Sequence, residues 1–102
     1  MLTANAVIKF TLENKSYNVK PFRVAFNFGE GLLFTGEIIS DHDIYSYNKP
    51  YKVNVDFFTI EEDSYSALKR VLLPKMGVVM QAGSRILGTA ELSNFKYNKL
   101  TQ

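Results

Sequence analysis

Residues 76–92 read Met-Gly-Val-Val-Met-Gln-Ala-Gly-Ser-Arg-Ile-Leu-Gly-Thr-Ala-Glu-Leu, two β-prone runs separated by Gly83-Ser84. A glycine at the first central position of a two-residue loop accepts positive φ and suits a type II′ turn, whose twist matches that of the strands it joins. Val78, Val79, Ile86 and Leu87 give both flanks β character. The stretch therefore predicts a β-hairpin, and a chain that closes on a hairpin is expected to supply further antiparallel strands upstream.

Those strands are visible as period-two alternation. Ile8, Phe10 and Leu12 alternate with Val7, Lys9 and Thr11, and residues 13–16 turn the chain. Residues 17–20 predict a short extended piece ending at Pro21, because a residue preceding proline is pushed out of the helical region. Phe22, Val24, Phe26 and Phe28 then face one way and Arg23, Ala25 and Asn27 the other, the cleanest core face in the sequence. After Gly29-Glu30-Gly31, the pattern resumes over residues 32–40 with Leu32, Phe34 and Ile38 on one face; Gly36 reads as a bend or bulge. Tyr51, Val53, Val55 and Phe57 form a fourth strand. Residues 41–50 are the longest polar connection, with Ile44, Tyr45 and Tyr47 as anchors onto the body.

The period changes after Ile60. Tyr65, Leu68, Val71 and Leu72 fall at helical spacing before Pro74, with Glu61, Glu62 and Asp63 at the start, Ser64 as the cap, and Lys69-Arg70 toward the end of a short helix over residues 64–73. Beyond the hairpin, residues 93–102 read as a last short strand or a tail. Six or so strands, one short helix and no βαβ rhythm predict an antiparallel barrel or sandwich.

Composition is consistent with one domain over residues 1–102: a chain of 102 residues buries about 65% of its unfolded surface, enough for one core. Twelve basic and ten acidic residues leave a formal charge of +2, which creates no strong field toward nucleic acid or anionic lipid. Cysteine is absent, so disulfides and thiolate metal sites are excluded. Met1 is followed closely by Thr3 and Asn5, with no basic stretch leading into an apolar run as in a leader, and a cytoplasmic protein is expected.

Catalytic patterns are weak. His42 lies between Asp41 and Asp43, where a carboxylate could orient the ring or all three could meet a metal, but three adjacent residues do not converge on one ion unaided and no second histidine exists. It reads as a solvated loop histidine. Glu61, Glu62 and Asp63 read as a solvated helix start rather than an acid/base pair. No Gly-x-Ser-x-Gly elbow is present. The expectation is no enzyme, no cofactor, no metal and no small-molecule substrate.

Binding features are better represented. Residues 95–99 (Phe-Lys-Tyr-Asn-Lys) interleave aromatics and bases, as a platform for single-stranded nucleic acid does, and equally as a strand with aromatics inward and lysines outward does. Tyr45, Tyr47, Tyr51 and Tyr65 suit a protein interface, where tyrosine is enriched, or else cover barrel ends.

The hairpin resembles the closing hairpin of the third domain of translation elongation factor Tu, whose pattern is roughly aromatic-x-Ile-Arg-Glu-Gly-Gly-Arg-Thr-Val-Gly-x-Gly. Met80 stands at the family's Ile, Gly83 at its first turn glycine, Arg85 at its Arg, Leu87 at its Val and Gly88 at the following Gly. Upstream, residues 49–55 are similar to the family's Pro-Gly-Asp-x-Val-x-Val run, and residues 21–28 to its Tyr-Arg-Pro-x-Phe-Tyr-Phe strand. The resemblance implies a small six-stranded antiparallel Greek-key barrel, here with one added short helix. It also brings tRNA as a partner, although Gln81 and Ala82 replace the Arg-Glu pair before the turn and Ser84 replaces the second glycine. No Gly-x-x-x-x-Gly-Lys-Ser/Thr phosphate loop is present, so GTP hydrolysis is not expected. The resulting expectation is a non-enzymatic protein-binding module, of the kind used by immunity proteins and antitoxins, with tRNA binding as the alternative. The residues expected to meet a partner are Tyr45, Tyr47, Tyr65, Arg85, Lys96 and Tyr97.

Overall fold

The chain forms β1 (Leu2–Phe10), β2 (Phe22–Asn27), β3 (Leu33–Ile39), β4 (Pro50–Phe57), α1 (Glu62–Leu68), β5 (Lys75–Ala82) and β6 (Arg85–Tyr97), in a computed structural model that describes residues 1–11, 22–42 and 44–99. Every pairing is antiparallel, and the strands close into a barrel in the order β1-β4-β3-β2-β5-β6. Consecutive β2, β3 and β4 are neighbours while β1 returns beside β4, which is a Greek-key arrangement. The expected turn at 13–16, the extended piece at 17–20 and Leu100 lie outside the described residues.

Alternation places one face of each strand in the barrel. Val24, Phe26 and Phe28 of β2 and its extension, and Tyr51, Val53, Val55 and Phe57 of β4, are buried as their spacing requires. β1 starts earlier than its visible alternation: Leu2, Ala4 and Ala6 join Ile8 and Phe10 inside. The two alanines are weak hydrophobic signals, yet small residues inside a narrow barrel make room for large ones opposite. Gly36 does the same. It is not a bulge but sits in the regular β2–β3 ladder opposite Val24, and a Cβ there would come within 2.6 Å of Val55 Cγ1 and 2.8 Å of Phe26. The space it leaves is used by Phe26, which packs edge-on against Phe57 with centroids 5.2 Å apart.

The true irregularities lie in β6, which runs for 13 residues through the segment that could have been a tail. Gly83-Ser84 makes the expected two-residue turn, Gly83 having φ of +60° and Ala82 pairing Arg85. Gln81 then pairs Ile86, whereas Met80 pairs Gly88, so Leu87 is an extra residue. A second bulge lies where Thr3 pairs Lys96 and Asn5 pairs Ser93, leaving Asn94 and Phe95 opposite Ala4 alone. Asn94 has φ of +53°. Asparagine tolerates that left-handed conformation better than most residues.

The helix is shorter and earlier than its sequence pattern. Ser64 lies inside α1 rather than capping it; Glu61 holds the N-cap position without a side-chain hydrogen bond, and Lys69 is the C-cap, leaving the last turn without a basic residue. The periodicity past Leu68 arises because Val71 and Leu72 also pack half-buried on the barrel, in a turn tied back by the Val71 and Leu72 N–H groups to the Leu68 carbonyl. Leu68 and Ile60 are fully buried, so the connection plugs one end of the barrel.

Candidate interaction surfaces at the two ends of the barrel

Strand direction sorts the side chains between two ends. The helix end gathers the start of β1, the turn between β2 and β3, α1, and the last residues of β6. The hairpin end gathers the end of β1, residues 40–50 and the Gly83-Ser84 turn. Of the residues expected to meet a partner, Tyr65, Lys96 and Tyr97 lie at the helix end, and Tyr45, Tyr47 and Arg85 at the hairpin end. They do not form one surface.

At the helix end, Tyr65 and Tyr97 are brought together as a parallel stack, with centroids 4.2 Å apart and planes within 4°. The Asn94 bulge makes this possible. Before it, alternate residues Gly88, Ala90 and Leu92 face inward; the extra residue reverses that parity, so Phe95 and Tyr97 turn toward the body and Lys96 turns out. This is the aromatics-in, lysines-out arrangement. Burial, then the negative charges of Glu61, Glu62 and Asp63, push the Tyr97 phenol above its ordinary pKa. Two of these carboxylates face a cation: Glu62 lies 3.5 Å from Lys99, and Glu61 lies 3.8 Å from the Met1 ammonium.

At the hairpin end, Tyr45 is in the core rather than on the surface, only 3% exposed. Its ring lies 5.5 Å from Phe10 and 5.0 Å from Tyr51, and its hydroxyl shares a hydrogen bond with Ser40. Its apolar body fills the barrel mouth while its one polar atom is satisfied, so Tyr45 anchors the loop and is not available to a partner. The Ser46 N–H donates to the Tyr51 hydroxyl at 2.7 Å. The Ser46 side chain, this N–H and nearby Lys49 together hold the Tyr51 phenol below its ordinary pKa. The His42 ring rests edge-on against Tyr51 at 4.8 Å, and the His42 backbone N–H donates to the Ser40 hydroxyl. Its ring therefore faces an aromatic, and Asp43 lies outside the described residues. Among the described residues no group of three or more His, Asp or Glu side chains is placed to hold a metal ion.

The anchored loop leaves other side chains outside. Ile44 is 56% exposed, Tyr47 48% and Ile86 57%, and Arg85 beside Ile86 is exposed as well. Two backbone bonds set Tyr47 and Ile86 on either side of the end of β1: the Asn48 N–H donates to the Phe10 carbonyl at 2.7 Å, and the Thr11 N–H donates to the Leu87 carbonyl at 2.9 Å.

No family model matches the chain, and no curated protein or solved structure is significantly similar to it.

Ile44 and Ile86 were missed as surface residues in the sequence because isolated isoleucines in β-prone stretches read as core. The signal that separates Ile86 is its position one residue past Arg85 in a bulged strand, and the bulge is a property of pairing, not of composition. Among the described residues, no helix is long and apolar enough to cross a membrane.

Proposed function

We propose that this chain is a non-catalytic protein-binding module whose partner surface is the hairpin end, centred on Ile44, Tyr47, Arg85 and Ile86. The observation that carries the reading is the placement there of three of the seven exposed large hydrophobic residues among those described, Ile44, Tyr47 and Ile86, with Tyr47 and Ile86 set on either side of the end of β1. Exposed apolar side chains gathered in one place, with an arginine beside them, fit the composition of protein interfaces, where aromatics and arginine are enriched and water is displaced on binding. The barrel beneath holds them on strands and on a loop fixed by Tyr45, so little ordering is required of them on association.

The six-stranded Greek-key order and the quoted hairpin motifs support placing this module beside the third domain of elongation factor Tu, and the small non-catalytic barrel fits an immunity or antitoxin role. A tRNA partner ranks second. The positions of the family's Arg-Glu pair are Gln81 and Ala82, and Lys75, Lys99 and Arg23 each lie within 3.5 Å of a carboxylate. Twelve basic residues against ten acidic ones leave a formal charge of +2, a weak field for displacing counterions from phosphates.

The test is capture from native lysate by the tagged chain, alongside the Tyr47→Ala/Ile86→Asp double variant with unchanged thermal midpoint. The expected result is a stoichiometric protein retained at high salt by the parent chain and lost by the variant. Recovery of RNA that is released by modest salt and retained by the double variant would reverse the ranking.

A further inference from the structure

The apolar side chains at the hairpin end stand among cations. Tyr47 and Ile86 flank the end of β1, the Asn48 N–H donating to the Phe10 carbonyl on one side and the Thr11 N–H to the Leu87 carbonyl on the other. Lys49 follows Tyr47 by two residues and Arg85 adjoins Ile86. Lys9 stands on the strand between, opposite Pro50 of β4 and Thr89 of β6. All three cations are exposed, and none of them belongs to an ion pair among the described residues; the pairs there are Arg23–Glu37, Lys75–Glu91, Lys99–Glu62 and the Met1 ammonium with Glu61. Lys49 Nζ instead lies 5.5 Å from the centre of the Tyr51 ring. Asp41 lines a separate groove with His42 and Lys52.

Charge is unevenly shared along the chain. Residues 9–22, 40–50 and 83–86, the segments that join the strands at this end, carry five bases and three acids, and the rest of the chain carries seven of each. The formal excess of +2 therefore falls wholly in these segments.

We propose that the hairpin end binds an acidic protein surface, on which carboxylates face Lys49 and Arg85 around an apolar contact with Tyr47 and Ile86. Opposite charges at the rim of an interface steer association and select the partner, and the apolar contact inside that rim holds it. Other occupants fit less well. A second copy would bring like charges together. A polyphosphate chain would satisfy the cations but leave Ile44 and Ile86 without an apolar complement. A lipid surface would have to take in Arg85 before Ile86, because Arg85 is nearer the Gly83-Ser84 turn, and burying that charge is costly. The proposal rests on the protein-binding reading of this end and adds the charge of the partner.

The experiment pans short random peptides on the full chain, discards those that also bind the Tyr47→Ala/Ile86→Asp variant, and measures the affinity of the remainder by calorimetry. The peptides retained should combine a large apolar residue with Asp or Glu. Their affinity should fall about tenfold or more with Lys49→Glu/Arg85→Glu and be regained by that variant when the peptide carboxylates are replaced by lysine. Both side chains are exposed and outside any ion pair among the described residues, so the thermal midpoint should not move, and the regain in the exchanged pair separates lost charge from lost fold. Retained peptides without acidic residues, or affinities indifferent to the charge reversal, overturn the proposal while leaving the protein-binding reading standing. Failure to retain any peptide that depends on Tyr47 and Ile86 removes both. Self-association abolished by Tyr47→Ala/Ile86→Asp overturns the proposal in favour of a second copy. So does binding of a uridine oligonucleotide, or of vesicles of phosphatidylcholine with phosphatidylserine, that is tighter than that of the peptides and abolished by Lys49→Glu/Arg85→Glu, in favour of RNA or a membrane.

Discussion

Replacing Gly88 by alanine tests whether the barrel closes as described. A Cβ at Gly88 would overlap the Lys9 carbonyl oxygen and lie 2.8 Å from the Phe10 Cα. These are backbone atoms of β1, held by pairing to β4 on one side and β6 on the other, so neither a rotamer change nor a small side-chain shift relieves the overlap. The strands must separate at the β1–β6 seam, next to fully buried Phe10 and Met80. Overpacking of this kind costs about 1–3 kcal/mol, and the rigid partner puts Gly88→Ala at the upper end. For a chain of this size that corresponds to a fall in thermal midpoint of roughly 10–20 °C. Gly77→Ala is the matched control, because its added methyl meets nothing within 4 Å, and alanine lowers the entropy of the unfolded chain. Urea titration of both variants by circular dichroism checks the pair. Gly88→Ala within about 0.5 kcal/mol of the parent chain would refute the close β1–β6 approach.

Leu68→Ala should destabilise by about 2–5 kcal/mol in the same titration, because the side chain is fully buried under the plugged end of the barrel. Gly83 has φ of +60°. A β-branched residue is strained there, so Gly83→Val should cost more than about 1 kcal/mol without altering the urea m-value. In an ultraviolet titration of the phenols, Tyr51 should ionise before Tyr97, and Tyr51→Phe and Tyr97→Phe should remove the early and late steps respectively. The sign for stability follows from linkage: the raised Tyr97 pKa contributes stability below the ordinary tyrosine value of about 10 that is lost as pH rises through the folded pKa. The lowered Tyr51 pKa works oppositely, its contribution being present above about 10 and lost as pH falls through the folded pKa.

The fold was legible wherever side-chain period and burial coincide. Phe22 through Phe28 and Tyr51 through Phe57 declare their inner faces because large apolar residues alternate with polar ones. The Gly83-Ser84 turn declares itself by glycine's tolerance of positive φ. What failed did so for definable reasons. β1 hid its first half because Ala4 and Ala6 carry almost no hydrophobic contrast. Gly36 looked like a break because a missing side chain signals either flexibility or close packing, and only the side chains of the neighbouring strands, Val55 and Phe26, decide between them. The helix was overextended because Val71 and Leu72 keep apolar spacing in a turn that is no longer helical. The tyrosines were the least legible of all: Tyr45 and Tyr47 differ by two positions in one loop, yet one fills the barrel mouth and the other faces solvent.

The unequal lengths of the strands connect the fold to the surface proposed at the hairpin end. A closed barrel has no edge where each strand is matched by its neighbours. Here, however, β2 has 6 residues and β6 has 13. The excess of β6 is absorbed by two bulges, and each bulge turns side chains away from the simple alternation. The bulge at Leu87 leaves Ile86 outside at the hairpin end, and the bulge at Asn94 turns Tyr97 onto Tyr65 at the helix end. The shortness of β2 leaves residues 75–78 of β5 without a partner on the β2 side, though they stay paired with β6. Exposed apolar side chains and an open ladder thus arise from the same mismatch. Lengthening β2 to cover that edge should slow amide exchange at 75–78 while leaving Ile86 where it is, so the two consequences of the mismatch can be separated by design without dismantling the barrel.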